Sequence, residues 1–139
     1  MSGGIWEVGT LAIAVFFSFN TTLTYKIIVV FCLMRIIRLK PYIRAMANMG
    51  LNDEDMQDFE VSILAAPEAH PIIKGLRGVR KARVALHGRG KSGGGRVIYY
   101  VAVQSAIYMM TAYPKNERDD LSNDQRKSIL AVIDSLKGN

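Results

Sequence analysis

The sequence predicts an α+β domain in which a small antiparallel sheet packs against an N-terminal helical hairpin and a C-terminal helix. Apolar residues recur at helical spacing between residues 40 and 66 and again after residue 122. Between residues 79 and 113 the pattern changes to the alternation that is typical of strands. A short strand is expected before the first helix, so the predicted order is β-α-α-β-β-β-α, with the helices on one face of a curved sheet.

The helical hairpin follows a short first strand in the segment that begins at Arg35. Its first helix spans Lys40 to Met49 and ends at Gly50, which is a typical C-terminal cap. Asn52 caps the second helix, whose first turn contains the acidic side chains that a helix dipole favours. Pro67 ends that helix, and its buried stripe is predicted to contain Met56, Phe59, Ile63 and Leu64.

Three strands and a last helix complete the domain. The strands are predicted at Val79–His87, Arg96–Val103 and Ile107–Tyr113, joined by a glycine-rich loop over residues 88–95 and by a tight turn at residues 104 and 105. In the second strand, Tyr99 and Tyr100 are expected to alternate, one in the core and one exposed. Ser122 caps the final helix, which has an apolar face made of Ile129, Leu130, Ile133 and Leu136.

The first 33 residues differ from the rest, because they contain two apolar runs, at residues 11–17 and 27–33. As a membrane anchor this stretch is long enough, but Asn20 and Lys26 interrupt it, and the cations after it place the remaining chain in the cytoplasm. The other interpretation is that translation starts at Met34 and that residues 1–33 are upstream sequence read in frame. We therefore divide the chain into a hydrophobic extension (1–33) and a domain (34–139).

Composition bounds the function. The chain has 139 residues, enough for one domain, with 18 Lys and Arg against 12 Asp and Glu, a net charge of +6. This surplus favours an anionic partner. A single cysteine, Cys32, excludes a disulfide framework, and His70 and His87 are too far apart to suggest a metal pair. A reducing cytoplasmic location fits best, and no metal or cofactor is predicted.

The positive charge is concentrated on the predicted sheet. Residues 74–96 contain eight Lys and Arg and no Asp or Glu. Because alternate strand residues share a face, Lys81 and Arg83 lie together while Ala82 and Val84 face the helices, and the neighbouring strand brings Arg96 close. Such a surface can bind a polyanion, and Tyr113 beside it could stack on an unpaired base. The loop at residues 88–95 lacks the order and context of a phosphate-binding loop, so we interpret it as a basic hairpin loop.

These segments resemble the HigB-type branch of the RelE toxin superfamily. The resemblance is carried by Arg80-Lys-Ala-Arg83, Gly94-Gly-Arg-Val-Ile-Tyr-Tyr100 and Tyr113-Pro-Lys-Asn-Glu117, and it covers about Pro41 to Leu136. It implies the toxin of a type II toxin–antitoxin system, an mRNA interferase that acts in the ribosomal A site. In that chemistry the ribose 2′-hydroxyl attacks the adjacent phosphate, and a cluster of cations stabilises the transition state without a metal.

The resemblance also suggests roles for individual residues. Arg83 and Arg96 match positions that clamp the phosphate, Lys81 is the candidate for activating the 2′-hydroxyl, and Lys115 would lie near the leaving oxygen. Leu121 stands where the best-known branch has a tyrosine, so Tyr113 is the alternative candidate for the leaving-group acid. The expected RNA-binding residues are Arg80, His87, Arg89, Lys91 and Asn116. His70 is interpreted as structural or incidental.

Two other functions fit the same residues, namely a non-catalytic RNA- or ribosome-binding module and a membrane-anchored basic regulator. Clustering of Lys81, Arg83, Arg96 and Lys115 at one point favours catalysis, whereas a spread along a track favours binding alone. The resemblance implies three partners: the ribosome, mRNA and a cognate antitoxin, encoded by an adjacent gene and often a helix-turn-helix protein. An acidic segment of that antitoxin could cover the basic sheet.

Overall fold

A computed structural model describes residues 5–8, 34–87, 94–102, 105–118 and 120–138. Along these residues the predicted order of strands and helices is present, with one further strand before it. The elements are β1 (Ile5–Val8), β2 (Arg35–Leu39), α1 (Lys40–Asn48), α2 (Asp53–Ala65), β3 (Arg80–Val84), β4 (Gly95–Ala102), β5 (Ala106–Pro114) and α3 (Asn123–Lys137).

The predicted helix boundaries are confirmed by their caps. Gly50 has φ +83°, and beyond it the Leu51 N–H donates to the carbonyl of Met46 at 3.0 Å, which closes the last turn of α1. The side chains of Asn52 and Ser122 each accept a hydrogen bond from the backbone N–H three residues later. The side chain of that third residue in turn accepts a hydrogen bond from the backbone N–H of the cap residue. Local sequence therefore sets where α2 and α3 begin.

The sheet is mixed, and the prediction of an antiparallel sheet was wrong in this respect. Its strand order is β1-β2-β5-β4-β3, and β2 pairs with β5 in parallel. The meander formed by β3, β4 and β5 is antiparallel, as expected. The helical hairpin separates β2 from that meander in the sequence. Because this long connection crosses over the sheet, β2 and β5 can run in the same direction, with Ile36 beside Ile107 at the centre of the sheet.

Helices cover both faces of the sheet, and the prediction that all of them lie on one face was wrong. Met46 of α1 and Ile63 of α2 pack with Tyr99 on one face, which we call the hairpin face. Ile133 of α3 packs with Tyr100 on the other, the α3 face. Consequently both tyrosines are buried, as are all residues from Val97 to Tyr100. A continuous apolar run in a strand indicates cover on both faces.

A buried ion pair joins α2 to the sheet through Glu60, which was not part of the predicted buried stripe of that helix. Glu60 has no exposed surface, whereas Phe59 is only partly buried. The Glu60 carboxylate accepts two hydrogen bonds from Arg38, at 2.7 and 2.9 Å, and one from the Tyr42 hydroxyl at 3.0 Å. Burial raises the pKa of the Glu60 carboxyl, and the guanidinium opposes that rise. Arg38 also forms an ion pair with the exposed Asp53 in the first turn of α2, so its guanidinium has two carboxylate partners.

Two further differences from the prediction are a shorter β3 and an additional strand, β1. β3 ends at Val84 instead of His87, because the chain turns toward α2 and the His87 Nε2 lies 3.1 Å from the Asp55 carboxylate. Ile5–Val8, within the segment set apart by the sequence analysis, pairs antiparallel with β2. The two apolar runs of residues 11–33 lie outside the described residues. Within the described ranges, every helix is too short or too polar to cross a lipid bilayer.

Candidate active site

The backbone register places four basic side chains at one end of the sheet. On β3, Ala82 and Val84 belong to the hairpin-face core, so Lys81 and Arg83 project from the α3 face. Arg83 is directly opposite Arg96 on β4. Lys81, Arg83 and Arg96 therefore lie on the same face of the sheet, as predicted.

These side chains line one cleft. It has a volume of about 470 Å³, and its lining consists of His70, Pro71, Lys81, Arg83, Arg96 and Lys115. None of these lining residues is acidic. Arg83 and Lys115 are exposed, whereas Lys81 and Arg96 are half-buried between their neighbours. A concave site lined by several cations attracts a multiply charged anion and excludes part of the water that would screen it.

Close backbone approach fixes Lys115 at the cleft. Its N–H donates to the carbonyl of Gly94 at 3.1 Å, which ties the end of β5 to the start of β4. A Cβ at Gly94 would stand 2.9 Å from the Val84 carbonyl oxygen, closer than real contacts allow. Glycine at this position thus lets β3, β4 and the Lys115 turn come together. The motif that carries the family resemblance includes this glycine for a steric reason.

His70 is the cleft residue that the sequence analysis missed. It comes from the loop after α2, and three hydrogen bonds and one ring contact hold that loop against the sheet. Arg80 donates to the carbonyls of Glu68 and His70 at 3.0 and 2.7 Å, the Tyr99 hydroxyl donates to the Pro67 carbonyl at 2.6 Å, and the His70 ring meets Tyr99 edge-on with centroids 6.1 Å apart. No spacing of residues in the sequence predicts the position of His70, because that position depends on the loop folding back along β3.

An acidic side chain lies near the cleft without lining it. The pKa of the Asp120 carboxyl lies below its usual range because the Leu121 N–H donates to it, and the positive charges of Arg126 and Lys81 lower it further. Its hydrogen bond to Arg126 is 2.8 Å long. Lys81 therefore has a carboxylate within electrostatic reach, in addition to its basic neighbours.

Several predicted RNA-binding residues are not brought to the cleft. The Arg80 guanidinium is engaged by the two loop carbonyls, so this arginine holds the loop. His87 is exposed beside Asp55 on the side of α2. Asn116 is exposed in the turn after Lys115 and does not line the cleft. The predictions for Arg89 and Lys91 lie outside the described residues.

Tyr113 is close to the site but buried. It is directly opposite Arg96 on β5, yet its side chain is only 2% exposed and packs in the α3-face core with Leu121 and Ile129. A buried ring offers no face on which an unpaired base could stack. Leu121, which stands where the best-known branch has a tyrosine, is in the same core. The prediction of base stacking by Tyr113 is not supported by this arrangement.

The fold and the cleft define a small basic α+β protein with a cleft lined by cations at one end of its sheet. A family model described as the RelE toxin of the RelE/RelB toxin–antitoxin system matches residues 34–137, which is most of the chain. The chain therefore belongs to the RelE toxin family, and it is the toxin component of a toxin–antitoxin system. Membership implies a cognate RelB-type antitoxin as its partner.

Proposed function

We propose that this toxin is a ribosome-dependent endoribonuclease that cleaves mRNA in the ribosomal A site. Toxins of the RelE family are generally endoribonucleases. The observation that carries the proposal is the convergence of Lys81, Arg83, Arg96 and Lys115 on one cleft. A protein that only binds RNA gains most from cations spread along the phosphate track, whereas this one concentrates them at a point.

The proposed reaction is an in-line attack of the ribose 2′-oxygen on the adjacent phosphorus. The 2′-oxygen loses its proton, the new P–O2′ bond forms, the P–O5′ bond breaks, and the 5′-oxygen gains a proton. The products are a 2′,3′-cyclic phosphate and a 5′-hydroxyl. The phosphorane-like transition state carries extra negative charge on its non-bridging oxygens, and Arg83 and Arg96 present planar donors that would bind those oxygens. Because both guanidinium groups are placed beforehand, they need not reorganise during the reaction.

The remaining cleft residues are assigned to the two proton transfers. Lys81 is proposed to interact with the 2′-hydroxyl and Lys115 with the leaving 5′-oxygen, as the family resemblance implies. For the proton delivered to the leaving oxygen we propose His70 in place of the buried Tyr113, since His70 lines the cleft on an anchored loop. Imidazole is the side chain best suited to exchange a proton near neutral pH.

The proposal extends to location and partners. Cleavage of translated messages requires a cytoplasmic protein that contacts the ribosome and mRNA. The antitoxin is proposed to be a helix-turn-helix protein from an adjacent gene. The HigB-type resemblance of the sequence supports this type of antitoxin. The net charge of +6 supports the ribosome as a partner, because it favours association with ribosomal RNA.

Primer extension on ribosomes that translate a defined message tests the proposal. Purified toxin should produce cuts at A-site codons on translating ribosomes and none on the same free message, with 2′,3′-cyclic phosphate ends. His70→Gln should lower the cleavage rate, while ribosome binding stays unchanged. Arg44→Gln removes one exposed cation from α1, away from the cleft, and serves as the matched control. Wild-type toxin that binds ribosomes and leaves the message intact would refute the nuclease and favour a non-catalytic ribosome-binding role.

A further inference from the structure

A second pocket lies between α3 and the sheet, and it shares no lining residue with the basic cleft. Its volume is about 240 Å³. Most of its wall is apolar and is formed by Pro41 at the start of α1, Met110 of β5, and Ile129 and Val132 of α3. Met110 and Ile129 belong to the buried core of the α3 face, so the floor of this pocket is part of the core.

An irregularity in β5 shapes this pocket. Two successive residues of β4 are opposite Thr111 and Met109, so Met110 between them is an extra residue in the strand. Such a bulge breaks the alternation of side chains, and Met110 and Thr111 both line the pocket under α3. The pairing of β5 with β2 also ends at Met109. The pocket therefore lies where the regular sheet stops and α1 begins.

A buried hydroxyl group in the pocket has no partner in the fold. Thr111 is 7% exposed, and among the described residues its hydroxyl makes no hydrogen bond. The hydroxyl oxygen is not sealed inside the core, so its remaining exposed surface opens into the pocket. A polar group that loses most of its water and gains no protein partner destabilises a fold, and such groups are rare in native proteins. Thr111 thus offers the pocket a hydrogen-bonding group that the described fold does not use.

The rim of the pocket on the side of α3 carries negative charge. Asp124, in the first turn of α3, lines the pocket, and within the described part of the chain its carboxylate forms no ion pair. Ser128 lies one turn further along the same side of the helix and also lines the pocket. None of the lining residues is basic. The pocket therefore repels anions and favours a molecule with a positive charge or a hydrogen-bond donor at its polar end.

We propose that this pocket binds a small amphiphilic molecule that combines one compact apolar group with an amino or hydroxyl group. An apolar cavity of about 150 Å³ holds benzene, so a pocket of about 240 Å³ has room for one ring and a polar substituent. The ring lies between Met110, Ile129 and Val132, and the polar substituent bonds to the Thr111 hydroxyl or the Asp124 carboxylate. A nucleotide is excluded by the charge of the rim. The site is therefore independent of the proposed nuclease.

Four probes that share one ring test the proposal, namely toluene, benzyl alcohol, benzylamine and benzoate. Each is titrated into the full chain at low salt, and binding is followed by the NMR resonance of the Met110 methyl group. Benzylamine should bind most tightly, because its ammonium group lies near Asp124. Benzoate should bind at least about tenfold more weakly than benzylamine, because the same carboxylate repels it. Shifts that fail to saturate with every probe, or equal binding of benzoate and benzylamine, would overturn the proposal.

A pair of charge-matched variants tests the role of the rim. Asp124→Asn keeps the shape of the side chain and should remove the preference for benzylamine over benzyl alcohol. Asp134→Asn removes a carboxylate from the same helix outside the pocket and should keep that preference. Equal loss in both variants would assign the preference to the overall charge of the toxin. Val132→Trp fills the pocket and should abolish binding of all four probes, and binding that persists in this variant would place the probes elsewhere.

Thr111→Val adds a measurement that needs no ligand. Because the hydroxyl has no partner among the described residues, replacing it with a methyl group should leave the melting temperature of the free toxin unchanged or raise it. The same variant should weaken binding of benzyl alcohol by about fivefold or more and leave that of toluene unchanged. A lower melting temperature would show that the hydroxyl already has a partner in the fold. Unchanged binding of benzyl alcohol would show that it does not meet the ligand, and either result contradicts the proposal.

Discussion

Arg83 and Arg96 are directly opposite one another on the antiparallel strands β3 and β4. Side chains in such a pair have their Cβ atoms about 4.5–5.5 Å apart, and like charges in this position destabilise a sheet. Two facing guanidinium groups therefore lower the stability of the free fold. The proposed function accounts for them, because an anionic substrate bound between them would offset their repulsion.

The first prediction is a gain in stability from removing either arginine. Arg83→Thr should raise the free energy of unfolding in urea by up to about 1 kcal/mol, because it removes the cross-strand repulsion and threonine suits a strand. Arg96→Thr should do the same, and the double variant should gain less than the sum of the two, since each single change already removes the pair. Additive or uniformly destabilising effects would show that the two charges do not repel in the free toxin.

The second prediction concerns the buried pair of Arg38 and Glu60. Glu60→Gln removes the buried carboxylate that faces the 5% exposed Arg38, leaves it only the exposed Asp53 as an ion-pair partner, and should lower the free energy of unfolding by about 3–5 kcal/mol. Replacing both residues with apolar ones, Arg38→Met with Glu60→Leu, should recover most of that loss. As a control, Asp134→Asn breaks the exposed pair with Arg77 and should cost no more than about 1 kcal/mol. A double variant as unstable as Glu60→Gln would contradict this account.

The third prediction tests the close approach at Gly94. Gly94→Ala should lower stability by about 1–3 kcal/mol and reduce cleavage, because the new methyl group meets a backbone carbonyl and moves the turn that holds Lys115. Gly95→Ala is the matched comparison, since its Cβ would meet only side-chain atoms, of Met49 and Val84, each at 3.0 Å, and no backbone atom, so it should be tolerated better. Thermal melts and the primer-extension assay measure the two effects. Equal tolerance of both alanines would mean that the contact with Val84 is not needed.

The fourth prediction concerns the first 33 residues. The family match begins at Met34, and we expect the chain Met34–Asn139 to be soluble and to arrest translation without the segment before it. Loss of β1 exposes one edge of β2, which lies on the side of the sheet away from the cleft. Mass spectrometry of the native N-terminus identifies the start. An inert Met34–Asn139 chain beside an active, membrane-bound full chain would establish the anchor instead.

Local signals in the sequence predicted the elements well, and they failed where distant residues meet. Asn52 and Ser122 cap their helices through bonds to the third residue, so a short stretch of sequence contains the whole cause. The parallel pairing of β2 with β5 and the burial of Glu60 both depend on partners far along the chain. The sequence around Glu60 contains no pattern that predicts its contact with Arg38.

The site shows the same division. Strand alternation was enough to place Lys81 and Arg83 on one face, and the register then put Arg96 opposite Arg83. His70 could not be predicted in this way, because the path of a loop is not periodic. Arg80 shows a related limit: its charge is visible in the sequence, but its hydrogen bonds to the carbonyls of the loop are not.

The measurement that tests the central claim most directly separates cleavage from binding in one pair of variants. If Arg83 and Arg96 stabilise charge that appears only in the transition state, alanine at either position should slow cleavage on saturated ribosomes by about 10²–10³ and change ribosome affinity far less. Arg83→Lys keeps the charge, removes the planar fork and should fall between. The account predicts this split between single-turnover cleavage rates and ribosome dissociation constants. Alanine variants that lose affinity while those bound to ribosomes cleave at the wild-type rate would contradict it.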